Sequence, residues 1–189
     1  LVAKQGGPSV KPYQPAGLWE AVSYDGDVTY QQDSGDGLYR RSLYTYWKRQ
    51  SPPPGLMAFD APTRETCTVR RPRTNTPLQA LVLMNDPTYL EAARVLATRT
   101  LKQKGTDSER IAFLFRSATS RRPDKWEQQI LIRLLQQQKK IYHSDPGTAQ
   151  QLIQVGEAPV KATIPPSELA AWTMLASTIL NMDETVTKH

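Results

Sequence analysis

Apolar side chains recur at helical spacing along most of the chain after Leu38, whereas before it no such period is found. Tyr39, Leu43, Tyr46 and Trp47 stand at i, i+4, i+7 and i+8 and predict one helical face, with Arg40, Arg41, Lys48 and Arg49 mostly off it. Pro52 to Pro54, each without an amide hydrogen and each restricting its predecessor, are expected to stop that helix. The pattern resumes at Asn75-Thr76-Pro77, a cap followed by a proline suited to the first turn, and continues through Leu78, Leu81, Val82 and Met84. Asp86-Pro87 restarts it through Leu90, Ala93, Leu96 and Leu101, with Gly105 as the expected left-handed cap.

Thr106 with Glu109, and Asp124 with Glu127, have capping-box spacing and predict two further helices. The first would turn Ile111, Leu114, Phe115 and Ala118 inward; the second Trp126, Ile130, Leu134 and Ile141, with Arg133, Lys139 and Lys140 outside. Asp145-Pro146-Gly147 predicts a turn before a short helix near residues 149–155, followed by a flexible stretch over 156–166. Ser167 is the expected cap of a last helix carrying Leu169, Trp172, Leu175, Ala176, Ile179 and Leu180. That helix is apolar on nearly every side and therefore central. The fold class read from this pattern is all-α, a mainly helical bundle preceded by an irregular segment with at most short strands.

That segment, residues 1–37, is dense in glycine and proline, with Tyr13, Trp19, Tyr24 and Tyr30 spaced between them. Residues 18–24 and 28–30 read as short extended or one-turn pieces joined by Asp25-Gly26-Asp27. The aromatics are better packing anchors than a sugar-stacking platform, because an irregular segment must hold itself by a few large side chains. A helical domain over 38–189 would follow, with a long loop at 51–76. The opening residues have neither a charged leader nor an apolar core, so Leu1 reads as a cut and the segment as the remnant of an upstream portion. No apolar run reaches the roughly 18 residues of a membrane span; the best, 170–180, is broken by Thr173, Ser177 and Thr178.

Charge narrows the picture only slightly. The net charge is +6, and the excess lies after residue 63, where 18 basic side chains face 12 acidic ones. Such a surface attracts nucleic acid, acidic glycans or a partner's carboxylates, and simple solubility accounts for it equally well. With Cys67 alone, neither a disulfide nor a thiolate metal cage can form. His143 and His189 lie in no haem or zinc spacing, and no phosphate loop or nucleophile elbow is found, so no metal site and no cofactor are expected within the chain. His143 reads as an exposed helix-end residue.

The strongest candidate site is the loop before Pro77. Arg64, Arg70, Arg71 and Arg73 place four planar forks within ten residues, next to Asn75 and Thr76 at a helix start, and forks beside exposed amides suit sulfate, phosphate or carboxylate. The same arginines can instead pair with Asp60, Glu65 and nearby carbonyls, pinning a long loop. Cys67 is a nucleophile only if those arginines depress its thiol, and as a small buried hydrophobe it fits more easily. Asp183 and Glu184, near Asn181, could offer oxygen donors to a cation but fit better as solvated residues or partners of an arginine.

Several strings together resemble a known family. They are Pro12-Tyr13-Gln14-Pro15, residues 37–44 leading to Trp47-Lys48-Arg49, Phe59-Asp60-Ala61-Pro62, Cys67-Thr68-Val69-Arg70-Arg71, residues 74–81, Asn85-Asp86, Arg121-Arg122-Pro123 and residues 180–184. They are similar to the C-terminal part of the planctomycete PSD domain, a domain of unknown function in large secreted proteins. The resemblance implies an exported, extracytoplasmic parent whose upstream domains, a cytochrome c module among them, are this piece's partners. Any haem c would belong to that upstream module. No catalytic residue carries over.

Two functions are then expected to compete. One is a helical interaction or ligand-binding module whose arginine loop receives an acidic polysaccharide or another anionic partner. The other is the C-terminal half of a redox-linked or hydrolytic enzyme domain completed by upstream residues. Nucleic acid ranks last, since the sequence has no groove-reading motif or aromatic platform.

Overall fold

The computed structural model describes residues 1–160 and 163–187. Eight α-helices occur among them: α1 (Pro54–Ala58), α2 (Pro77–Asn85), α3 (Pro87–Leu101), α4 (Asp107–Thr119), α5 (Lys125–Ser144), α6 (Pro146–Ile153), α7 (Pro166–Leu180) and α8 (Asp183–Val186). The described residues form no β-strand, only two isolated bridges, Val10 with Thr45 and Lys48 with Ser51, and the protein is all-α. The chain divides into two compact units, residues 1–74 and 75–189. The division thus falls at 74/75, where the sequence pattern suggested 37/38.

Unit 2 is built around α7. Leu169, Trp172, Leu175, Ala176 and Ile179 are all sealed from solvent, as the near-continuous apolar pattern required, and α3, α5 and α6 pack around them. Its start is Pro166 behind Pro165, with no side-chain cap, so Ser167 lies inside the first turn. Ile111, Leu114 and Phe115 of α4 are buried as expected, with Ala118 packed beside them. Both predicted capping boxes are present: Thr106 and Asp124 accept from the amides of Glu109 and Glu127, whose side chains return to the caps. Gly105 lies past the end of α3, which closes at Lys102. Its φ of +126° and missing side chain leave room for the Glu109 carboxylate, which a Cβ would meet at 2.5 Å.

Two helices bury a different stripe from the one predicted. On α5 the core receives Leu131, Leu135 and Tyr142, while Trp126 is 65% exposed and Ile130 and Ile141 also face water. Two adjacent apolar stripes compete there, and the buried one is continued by Lys139, whose ammonium lies 5.9 Å from the Trp172 ring and 2.7 Å from Asp107. On α3 the buried stripe carries Glu91, Ala93, Arg94, Ala97 and Thr100, with Leu96 and Leu101 only partly covered. Glu91 and Arg94 hold the turn after α6. Arg94 donates to the carbonyls of Val155 and Ala158 at 3.3 and 2.7 Å, and the Ala158 amide donates to Glu91 at 2.7 Å. The expected flexible stretch therefore starts from a tied turn, and residues 161–162 within it lie outside the described residues.

Unit 1 has no helix over 38–47. Short 3-10 turns at Gly35–Tyr39 and Ser42–Tyr44 are separated by Arg41 and extended Arg40, and Leu43, expected inside, is 77% exposed. Tertiary pairing overrides the helical period: Val10 donates to the Tyr44 carbonyl and accepts from the Tyr46 amide, both at 2.8 Å, which holds Thr45 between them in extended conformation. The three prolines consequently end no helix, and Pro54 opens α1, where its missing amide costs nothing. Trp19 is the packing anchor predicted: it is buried, edge-on to Tyr30 at 5.0 Å, with Lys11 and Lys48 over its ring. The Tyr30 hydroxyl donates to the Pro12 carbonyl at 2.6 Å, and burial with Asp33 nearby pushes its phenol up to about 12. Arg40 gathers the N-terminal segment by donating to the carbonyls of Lys4, Gly6 and Pro8 while stacked on Tyr44.

Candidate functional site

The six residues singled out from sequence divide between the units: Arg64, Arg70, Arg71 and Arg73 belong to unit 1, Asn75 and Thr76 to unit 2. In unit 1 the loop after α1 turns at Asp60 and again at Arg64, two non-glycine residues in left-handed conformation with φ of 59° and 65°. The Asp60 carboxylate accepts from both the amide and the hydroxyl of Thr74, which folds the loop back on its own start. Arg71 completes that closure, donating to the carbonyls of Asp60 at 3.1 Å and Phe59 at 3.0 Å.

Carbonyl acceptors orient Arg71 and leave its charge unneutralised. The Arg64 guanidinium lies over the Trp47 ring at 4.5 Å, again with no carboxylate partner among the described residues. Arg70 is exposed and has no side-chain partner among the described residues, and Arg73 continues the same exposed run. Glu65, the one acidic residue between 64 and 73, is taken by Arg49 in a two-armed pair at 2.9 and 2.5 Å, which holds its carboxyl below the usual range. The loop is pinned at Arg71 by carbonyls and at Arg64 by a ring.

In unit 2, Thr76 is the cap of α2. Its hydroxyl accepts from the Gln79 amide and its own amide donates to the Gln79 side chain. That box takes up the amide an anion would have used, so the helix start adds little to anion binding. Asn75 donates to Asp183 at 2.5 Å. Glu184, the other acid considered for a cation, accepts two bonds from Arg121 at 2.7 Å, as the arginine-partner reading expected. Arg121 also grips Glu127 at 2.7 and 2.6 Å and lies 4.8 Å from the Phe115 ring, so one guanidinium ties α8 to the start of α5 and the side of α4. These bonds hold Glu127 down at about 2 and lower Glu184 as well.

Cys67 is exposed, which corrects the reading of it as a buried hydrophobe; Thr66, Thr68 and Val69 beside it are exposed as well. His143 sits exposed in the last turn of α5, as expected, beside Lys139, Lys140 and Ser144 along an open groove. His189 lies outside the described residues. Among the described residues no group of three or more His, Cys, Asp or Glu side chains could hold a metal, and no helix is long and apolar enough to cross a membrane. Sequence reasoning missed the buried Glu91–Arg94 pair and the Arg121 clasp. The first had one signal, two charges at i, i+3 on the stripe that also carries Ala93 and Ala97.

The architecture and the open, arginine-bearing loop define an all-α protein with no recognisable catalytic constellation among its described residues. A family model described as PSD1, protein of unknown function (DUF1553), matches residues 1–135. The chain belongs to that family, the planctomycete PSD domain family. No curated protein and no solved structure matches it.

Proposed function

We propose that the chain is a binding module whose loop at 64–73 receives an anionic partner, an acidic polysaccharide bearing sulfate or uronate groups, in an exported multidomain parent. One observation carries this reading. Four guanidinium groups lie in one exposed ten-residue run, whose single carboxylate is occupied by an arginine from outside the run. Arg64 and Arg71 are held in place by a ring and by carbonyls, and Arg70 has no side-chain partner among the described residues. Charge that is oriented without being neutralised is what a polyanion exploits, since its acidic groups meet donors already positioned. An exported setting, implied by the resemblance, favours polysaccharide over nucleic acid as the polyanion.

The test is binding of the chain to dextran sulfate and polygalacturonate, with neutral dextran as control, across a salt series. Affinity for the acidic polymers is expected to fall steeply with salt, because exposed charges are screened within about 10 Å at 0.1 M. Arg70→Gln removes one exposed contact and is expected to weaken binding by up to about fivefold, since such a pair contributes at most about 1 kcal/mol. Equal binding to neutral dextran, no binding at low salt, or an unchanged affinity in a folded Arg70→Gln chain refutes the proposal.

A further inference from the structure

We propose that the outer face of α5 docks on an anionic phospholipid membrane, with the helix lying along the surface and not crossing it. Helical geometry sets this face apart. Leu131, Leu135 and Tyr142 form the buried stripe, and at about 100° per residue the stripe diametrically opposite is Trp126, Ile130, Arg133, Gln137, Lys140 and Ile141. All of these are exposed, Trp126 by 65%, Ile130 by 42% and Ile141 by 45%. Apolar residues scattered singly over a surface need no explanation, but these three share one line about 22 Å long and are interleaved with basic side chains.

Charge decides what covers the stripe. Within residues 125–144 the one acidic side chain is Glu127, and both its oxygens are gripped by Arg121. The acids at the two helix ends, Asp124 and Asp145, are turned onto the amides of Glu127 and Thr148. Arg133 reaches the Gln129 carbonyl of its own helix, and Lys140 has no side-chain partner among the described residues, so neither cation is neutralised. A second copy of the chain fits poorly. Antiparallel pairing about a two-fold axis centres on residues 133 and 134 and sets Arg133 beside its own copy, with no acid on the stripe to separate them.

A lipid surface meets both features at once. Its phosphates lie in one layer above an apolar interior, so the stems of Arg133 and Lys140 extend up to them while Trp126 and the two isoleucines enter the acyl boundary. Indole rings favour that depth. A protein partner would have to match the two cations one by one, whereas a bilayer supplies phosphate wherever they fall. At the C-terminal end of α5, Lys139, Lys140, His143 and Ser144 line a groove of about 420 Å³, a seat for a headgroup beside Ile141. The surface belongs to unit 2 and the arginine loop to unit 1, so the membrane proposal does not rest on the polysaccharide reading.

The experiment mixes the full chain with vesicles of equimolar phosphatidylcholine and phosphatidylglycerol and reads co-sedimentation and tryptophan emission. Trp19 and Trp172 are buried and Trp47 lies under Arg64, so a blue shift on binding reports Trp126. Sedimentation is expected with the anionic vesicles and not with pure phosphatidylcholine, with a blue shift that Trp126→Ser removes and Arg70→Gln keeps. Soluble glycerol phosphate, which carries the charge without the acyl boundary, should give no shift. Arg133→Gln/Lys140→Gln should weaken binding by about fivefold for each charge removed. The substituted side chains are exposed, and circular dichroism checks that the variants fold. No sedimentation, equal sedimentation with neutral vesicles, a shift that survives Trp126→Ser or is lost in Arg70→Gln, or unchanged affinity in the folded double variant overturns the proposal. A concentration-dependent dimer of the chain alone that Trp126→Ser dissociates would assign the face to a second copy and overturn it too.

Discussion

Replacing Arg94 by methionine tests the packing of unit 2 at its least obvious point. Arg94 and Glu91 expose only 3% of their side chains, and their charged atoms approach to 3.9 Å, too long for a close hydrogen bond. Each instead uses its strong bonds on the turn after α6: Arg94 on the carbonyls of Val155 and Ala158, Glu91 on the Ala158 amide. Methionine matches the aliphatic stem but leaves a carboxylate buried without its cation and two carbonyls without their donor. Removing one partner of a buried pair costs about 3–5 kcal/mol. At about 2–4 °C per kcal/mol for a chain of this size, the melting temperature should fall by roughly 6–20 °C. Far-UV circular dichroism reports it, since most helical residues belong to unit 2. Gly156→Ala strikes the same junction from the other side. Its φ is +85°, and a Cβ would lie 2.2 Å from a Glu91 oxygen, so it should destabilise by more than the ~1–2 kcal/mol that left-handed backbone alone costs. An Arg94→Met chain within about 1 kcal/mol of the parent would refute the reasoning, because no buried carboxylate could then have been stranded.

Acid should unfasten the Arg121 clasp. Glu127 is held at about 2 against an ordinary value of 4.5, and a carboxyl depressed on folding contributes stability that is complete above its unfolded value and disappears as pH falls through the folded one. Urea midpoints should therefore decline between pH 4.5 and about 2, and Arg121→Met should flatten that decline; identical acid profiles for the two chains would count against the clasp. Asp124→Ala removes the cap of α5, whose carboxylate accepts the Glu127 amide at 2.7 Å, and should cost about 1 kcal/mol by the same urea titration. A change below the error of the titration would mean that water replaces the cap.

Much of unit 2 could be read from its residues because local and global signals agree there. Thr106 with Glu109 and Asp124 with Glu127 start helices by bonds made within four residues, and α7 is apolar all round because it is surrounded. Where two stripes on one helix were both apolar, as on α5, the period alone could not choose, and the core selected the Leu131, Leu135 and Tyr142 stripe. In unit 1 the sequence signal pointed the wrong way. Residues 39–47 have helical spacing, yet Val10, more than thirty positions upstream, claims their backbone, and pairing at that distance leaves no local trace.

The arginine loop is legible in composition and illegible in geometry, and the distinction decides how it can be probed. Four arginines within ten residues announce positive charge, but nothing in the string says that Arg71 will seek carbonyls or that Arg64 will lie on Trp47. Because Asp60 is engaged by Thr74 and Arg71 by the main chain of 59–60, the loop's shape rests on those bonds. Arg70 takes no part in them. A change at Arg71 therefore alters shape and charge together, and its effect on binding has no single cause. A change at Arg70 alters charge alone, so any loss of polyanion affinity it produces must come from the field of the loop and not from its collapse.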